Sequence, residues 1–177
     1  MSLAFDAIGA WMDSQGLGTG PIDKVTPIGG GTQNVMVRFV RDGREYVLRR
    51  GPEHLRPGSN TVIAREFRVL RALSGSEVPH PNLIAACDDP SVLGDAVFYL
   101  MEPIDGWNAS LELPEAAAGT PGQRRELGFA LIDALLSLGR VDFREVGLAD
   151  FGKPEGFLDR QVDRWLSELA SHQAQVR

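Results

Sequence analysis

The chain is short of the residues that build disulfide and metal frameworks. A single cysteine, Cys87, excludes an intramolecular disulfide and a multi-cysteine zinc site, and three scattered histidines, His54, His80 and His172, argue against a His-built metal site. No run approaches the roughly 18 apolar residues of a membrane-spanning helix. The first residues carry Asp6 and Asp13 and lack both a basic start and an unbroken apolar stretch, so they do not read as an export signal. Positive charge is scarce as well. Eighteen Lys and Arg stand against 24 Asp and Glu, a net charge of -6, which argues against a general nucleic-acid binder. What is present is an ordinary globular balance: 43% hydrophobic and 24% charged residues over 177 positions, enough to bury one core without staples. The expectation is a reduced, cytoplasmic protein with neither a membrane nor a nucleic-acid partner.

Hydrophobic spacing organises the chain. Phe5, Ile8 and Met12 recur at helical intervals and Gly16 can end the turn, which predicts a helix over 3–15. Alternating apolar residues then predict strands over 24–27, 34–40 and 45–49, with Asp42-Gly43 as a hairpin between the last two. Ile63, Phe67, Leu70 and Leu73 make the stripe of a helix over 61–73, which Ser59 or Asn60 could cap. Strands over 83–87 and 96–102 follow, the second stopping at Pro103 and Gly106. Beyond Trp107 the pattern is helical, over 121–138 and 157–176. This is an α+β class: a five-stranded antiparallel sheet with one main helix over 1–103, then helices over 104–177.

Four features occur in a telling order. A glycine run (IGGGTQN) lies between two strands; taken alone it is as well read as a plain tight turn. Arg49 ends the third strand in YVLRR. Glu66 sits on the next helix beside Ile63 and Phe67, either on a solvated face or on the inward stripe. Finally the sequence YLMEPIDGW reads as a buried edge strand ending at a proline, or as something more.

Together with EFRVLRAL, PHPNLIAACDD and GFLDRQVDRW, these motifs resemble the aminoglycoside phosphotransferase and choline kinase family of protein-kinase-like fold. Within it they resemble the branch associated with acyl-CoA dehydrogenases. The resemblance implies a small lobe binding ATP. Gly29, Gly30, Gly31, Thr32, Gln33 and Asn34 would cradle phosphates through backbone N–H groups, which glycine lets approach closely. Gln33 departs from the Ser-Asn pair usual there. Arg49 would hold the α- and β-phosphates where kinases use lysine, paired with Glu66. The Glu102 carbonyl and Ile104 N–H would read adenine. The acceptor would be a small hydroxyl-bearing molecule, with Mg²⁺ expected in a complete enzyme.

Other elements of the family's pattern are missing from these residues. The family's base lies in an H-x-D motif, yet the residues two beyond His54, His80 and His172 are Arg56, Asn82 and Ala174. Asp150-Phe151-Gly152 spells the kinase magnesium motif without the catalytic loop that should precede it, and reads as a turn. No catalytic or metal-binding residue is assigned here. The expectation is the nucleotide-binding part of a phosphotransferase, roughly half an enzyme of this class. The alternative is an inactive pseudokinase-like nucleotide binder or interaction module, which could form a homodimer through exposed C-terminal helices.

Overall fold

The structure, a computed structural model, describes residues 3–29, 34–109 and 113–175. It divides into two compact units, Met1–Val141 and Asp142–Arg177. The first begins with α1 (Phe5–Ser14), followed by β1 (Ile22–Pro27), β2 (Val35–Arg41) and β3 (Arg44–Arg50). Next come α2 (Ser59–Leu73), β4 (Leu83–Cys87), a 3-10 turn at Pro90–Leu93 and β5 (Phe98–Met101), then α3 (Glu115–Ala118) and α4 (Pro121–Gly139). The strands form one sheet in the order β1-β2-β3-β5-β4, with every neighbouring pair antiparallel. The α+β class expected from the sequence is the one observed.

The β2–β3 turn shows why local sequence decides this topology. Arg41 pairs with Arg44, so Asp42 and Gly43 alone make the corner, and both have positive φ (47° and 74°). That is the geometry two-residue hairpins require, and it suits Asp-Gly. Asp42 does more than turn. Its carboxylate accepts from Thr19 N–H (2.8 Å) and Gly20 N–H (3.1 Å), and these bonds hold its pKa below the usual carboxylate range.

Strand alternation sorts the side chains onto two faces. One face carries Val37, Phe39, Tyr46, Leu48, Phe98 and Leu100, buried against Ile8 and Met12 of α1. Trp11 meets Phe98 edge-on at 4.8 Å between centroids, a favourable aromatic arrangement. Arg41 fixes α1 to this face although it is only 3% exposed. Its guanidinium donates to Gly20 O (2.8 Å), to Gly9 O (2.9 Å) and to the Asp13 carboxylate, so the buried charge is paired and bonded.

The opposite face carries Val47, Tyr99 and Met101, packed on Ile63 and Phe67 of α2. Neither Ser59 nor Asn60 caps α2. The N-cap is Gly58 at φ 84°, without a side-chain cap bond. Asn60 instead ties the helix to the lead into β5, donating to Asp95 O (2.7 Å) and accepting from Val97 N–H (3.1 Å). A tertiary tether has taken the side chain that local preference would use for capping.

α4 opens with a reciprocal cap. Thr120 Oγ1 accepts from Gln123 N–H (3.2 Å), while the Gln123 side chain accepts from Thr120 N–H (2.9 Å). Its apolar residues are exposed, including Leu131 (71%) and Leu135 (62%). The second unit contains α5 (Phe157–Gln175), with Leu158, Val162, Trp165 and Leu169 exposed along it. From the first turn of α5, Arg160 donates back to the carbonyls of Lys153 and Glu155, and Asp150 and Phe151 lie in turns. Among the described residues no helix is long and apolar enough to cross a membrane.

Candidate functional site

The α2 face of the sheet continues past the helix into an open cleft. Its geometry follows from register. Met36 pairs with Arg49 and Arg49 with Tyr99, giving one row across β2, β3 and β5. Arg38 pairs with Val47 and Val47 with Met101, giving a second row two residues along. At ~3.3 Å per residue the rows lie ~7 Å apart.

The first row carries the paired charges. Arg49 donates from Nε to Glu66 Oε2 (2.7 Å) and from Nη2 to Glu66 Oε1 (3.0 Å), a two-pronged fork between β3 and α2. Tyr99 O–H also donates to Glu66 Oε2 (3.2 Å), so both carboxylate oxygens are engaged. The remaining guanidinium nitrogen, Nη1, lies 3.1 Å from the Met36 thioether, a weak acceptor. Burial here is partial, with 26% of the Arg49 side chain and 28% of the Glu66 side chain exposed. The Glu66 bonds raise the Arg49 pKa further above its ordinary value, against the opposing effect of burial. Burial, then the Glu66 charge, pushes the Tyr99 phenol well above the usual tyrosine range.

The second row forms the roof of a cleft of about 260 Å³ lined by Ile28, Met36, Arg38, Val47, Pro81, Met101, Glu102, Pro103 and Ile104. The walls are mostly aliphatic with a few polar groups, the usual make-up of a small-molecule site. The segment after β5 is anchored rather than loose. Glu102 N–H donates to Asn82 O (2.9 Å), Asn82 Nδ2 donates to Glu102 Oε2 (2.9 Å), and Arg44 Nη2 stands 3.4 Å from Glu102 Oε1. Among the described residues, the Glu102 carbonyl and the Ile104 N–H make no hydrogen bond. Both are therefore available to a planar heterocycle with a donor beside an acceptor.

The structure thus brings Arg49 and Glu66 together, and sets Glu102 and Ile104 on the same cleft as Met36. Gly29 is exposed at the edge of β1 and Asn34 precedes β2. A Cβ at Gly29 would meet open space, so no protein contact demands glycine there. Gly30, Gly31, Thr32 and Gln33 lie outside the described residues. Sequence reasoning passed over Asn82, Arg44 and Arg38. For Arg38 the signal was present, since period-two alternation from Met36 places it on the cleft face rather than against α1. Cys87 is buried and its thiol is pushed up by desolvation, the behaviour of an inert core residue. Among the described residues there is no group of three or more His, Cys, Asp or Glu that could hold a metal ion.

The fold and cleft can be set beside known proteins. The model of the phosphotransferase enzyme family matches residues 24–177. The chain is 38% identical over 131 residues to a probable acyl-CoA dehydrogenase of Arabidopsis thaliana, covering 72% of this chain and 15% of that protein. It is 31% identical over 150 residues to acyl-CoA dehydrogenase family member 11 of Homo sapiens, covering 81% and 18%. Among solved structures, a Ralstonia eutropha protein assigned as an aminoglycoside phosphotransferase superposes with a TM-score of 0.74 at 31% identity, over 94% of this chain and 47% of that one. The chain therefore spans less than a fifth of these two curated relatives and about half of that structure.

Proposed function

The chain belongs to the phosphotransferase enzyme family, and from that premise we propose that its sheet and cleft are the ATP-binding part of a kinase acting on a small hydroxyl-bearing molecule. The observation that carries this reading is the Arg49–Glu66 fork standing one register row from an aliphatic cleft. A nucleotide has the same two-part form, a flat base with phosphates a few ångströms along.

The residues divide the work accordingly. Met36, Val47 and Met101 enclose the base, while the Glu102 carbonyl accepts from its amino group and the Ile104 N–H donates to its ring. Asn82 and Arg44 hold that segment in place. Arg49 lies ~7 Å away along the sheet, fixed by Glu66, with Nη1 open to a phosphate oxygen stronger than a thioether. Gly29 to Asn34 would offer backbone N–H groups to the phosphates, Gly30, Gly31, Thr32 and Gln33 lying outside the described residues. ATP, when bound, supplies the γ-phosphoryl group for the acceptor hydroxyl. Phosphoryl transfer relies on positioning and charge stabilisation, which is the work these residues are suited to. The described residues offer no fitting donor set for Mg²⁺, so no metal-dependent step is assigned to them.

Calorimetric titration of the folded 177-residue chain with ATP tests the reading. Saturable binding that Arg49→Ala weakens by about tenfold or more supports it. No heat at millimolar ATP from a chain with native circular dichroism would sink it. The buried free thiol of Cys87 fits a reduced, cytoplasmic setting.

A second reading is favoured by α4, which is apolar around much of its circumference yet exposed. Such helices normally lie inside a lobe. We read α4 as a helix of the family's second lobe. If instead the isolated chain forms a discrete, concentration-dependent dimer, an oligomerising interaction module becomes the better description.

A further inference from the structure

Among the described residues lining the cleft, Arg38 is the basic side chain. Arg38 stands at the β2 end of the roof row, two strands from Met101, or ~10 Å at the usual strand spacing. Its guanidinium nevertheless reaches Asp105, just past the segment after β5, with Nη1 3.2 Å from Oδ1. On its other side it forks onto Glu45, from Nε to Oε1 (3.1 Å) and from Nη2 to Oε2 (2.6 Å). The Arg38–Asp105 pair therefore joins the roof to the segment after β5.

We propose that Arg38 is a nucleobase-binding residue, its flat guanidinium face forming a stacking surface for the purine while Glu45 and Asp105 lock its edges. This rests on the nucleotide reading above and goes beyond it. Guanidinium hydrogen bonds lie in the plane of the group. Carboxylates on both sides therefore occupy edges rather than faces, and a third of the Arg38 side chain is exposed. Arg38 lines the same cleft as Met36 and Val47, where a base would lie. With two carboxylates beside it, the cation can be covered by an aromatic ring at low desolvation cost, and a guanidinium over a π-face is attractive.

The test uses the folded chain and three probes by calorimetry: ATP, adenosine and inorganic tripolyphosphate. Arg38→Met keeps an apolar stem of similar length. It is expected to weaken ATP and adenosine by a common factor of about 5–30 and to leave tripolyphosphate unchanged. Asp105→Asn alters a side chain that is 90% exposed, so folding is not at risk, and is expected to weaken adenosine about 2–5-fold. Arg38→Met binding ATP as the unaltered chain does would overturn the proposal and leave the nucleotide reading intact. A loss confined to tripolyphosphate would also overturn it, by making Arg38 a phosphate ligand. If the unaltered chain binds none of the three, both readings fall.

Discussion

Glu66→Gln is the sharpest probe of the site because it changes charge with little change in shape. In the native chain the Glu66 oxygens accept from Arg49 Nε (2.7 Å), Arg49 Nη2 (3.0 Å) and Tyr99 O–H (3.2 Å). Glutamine keeps one acceptor oxygen, so at most one prong of the fork survives and the ion pair is lost. A hydrogen bond to a charged group contributes about 1.5–3 kcal/mol net. With 26% and 28% of the two side chains exposed, water reduces that figure, and a loss of ~1–2 kcal/mol is expected. At a urea slope of ~2 kcal/mol/M the unfolding midpoint falls by ~0.5–1 M. Tyr99 gives an independent readout. Its phenol is held high by burial first and by the Glu66 charge second, so removing that charge lets it titrate earlier but still above a free tyrosine. Tyr99→Phe separates its signal from that of Tyr46, the other tyrosine. A midpoint within ~0.2 M of native and an unmoved Tyr99 titration would refute the pair and, with it, the positioning of Arg49.

Further tests address the scaffold. Arg41→Ala removes three donors from Gly9, Gly20 and Asp13 and should cost ~2–4 kcal/mol in urea unfolding, below the full figure for a buried pair because Asp13 is half exposed; a loss under ~1 kcal/mol would contradict the staple. Asp42 has a depressed folded-state pKa, so its stabilisation is complete above the ordinary carboxylate range and is lost as pH falls through the lower folded value. Asp42→Asn, which tolerates the left-handed turn, should flatten the acid limb of a stability-versus-pH curve, and an unchanged limb would discount the Thr19 and Gly20 bonds. Leu131→Glu with Leu135→Glu should change the chain's own stability by less than ~0.5 kcal/mol, since both are mostly exposed, while lowering any self-association seen by sedimentation; a large destabilisation would show the face to be covered.

Much of this architecture was legible because short-range rules and tertiary packing agree. Asp42-Gly43 between alternating runs forced a hairpin, and Ile63 and Phe67 marked the face that α2 buries. Glu66 was legible only as an either-or. Its neighbours placed it near the inward stripe, but whether Arg49 met it depended on how α2 packs across β3 and β5, which no local pattern encodes. Asn60 shows the opposite case, a residue with a strong local preference diverted by a bond 37 residues away. Asn82 and Arg44 were invisible for the same reason, since their common partner, Glu102, lies 20 and 58 residues off in sequence.

The arginine at position 49 changes what the pair can do. A lysine in its place would offer one ammonium to be shared between a carboxylate and a phosphate. Arginine has five N–H groups in a rigid fork. It satisfies both Glu66 oxygens with Nε and Nη2 and still directs Nη1 towards Met36 and the cleft. The group that holds α2 to the sheet need not let go in order to hold an anion. A lysine site couples phosphate binding to helix position because both compete for one charge. In the proposed reading the fork keeps α2 placed whether or not phosphate is bound, so the cleft would be organised before its ligand arrives and less of the binding energy would go into ordering it.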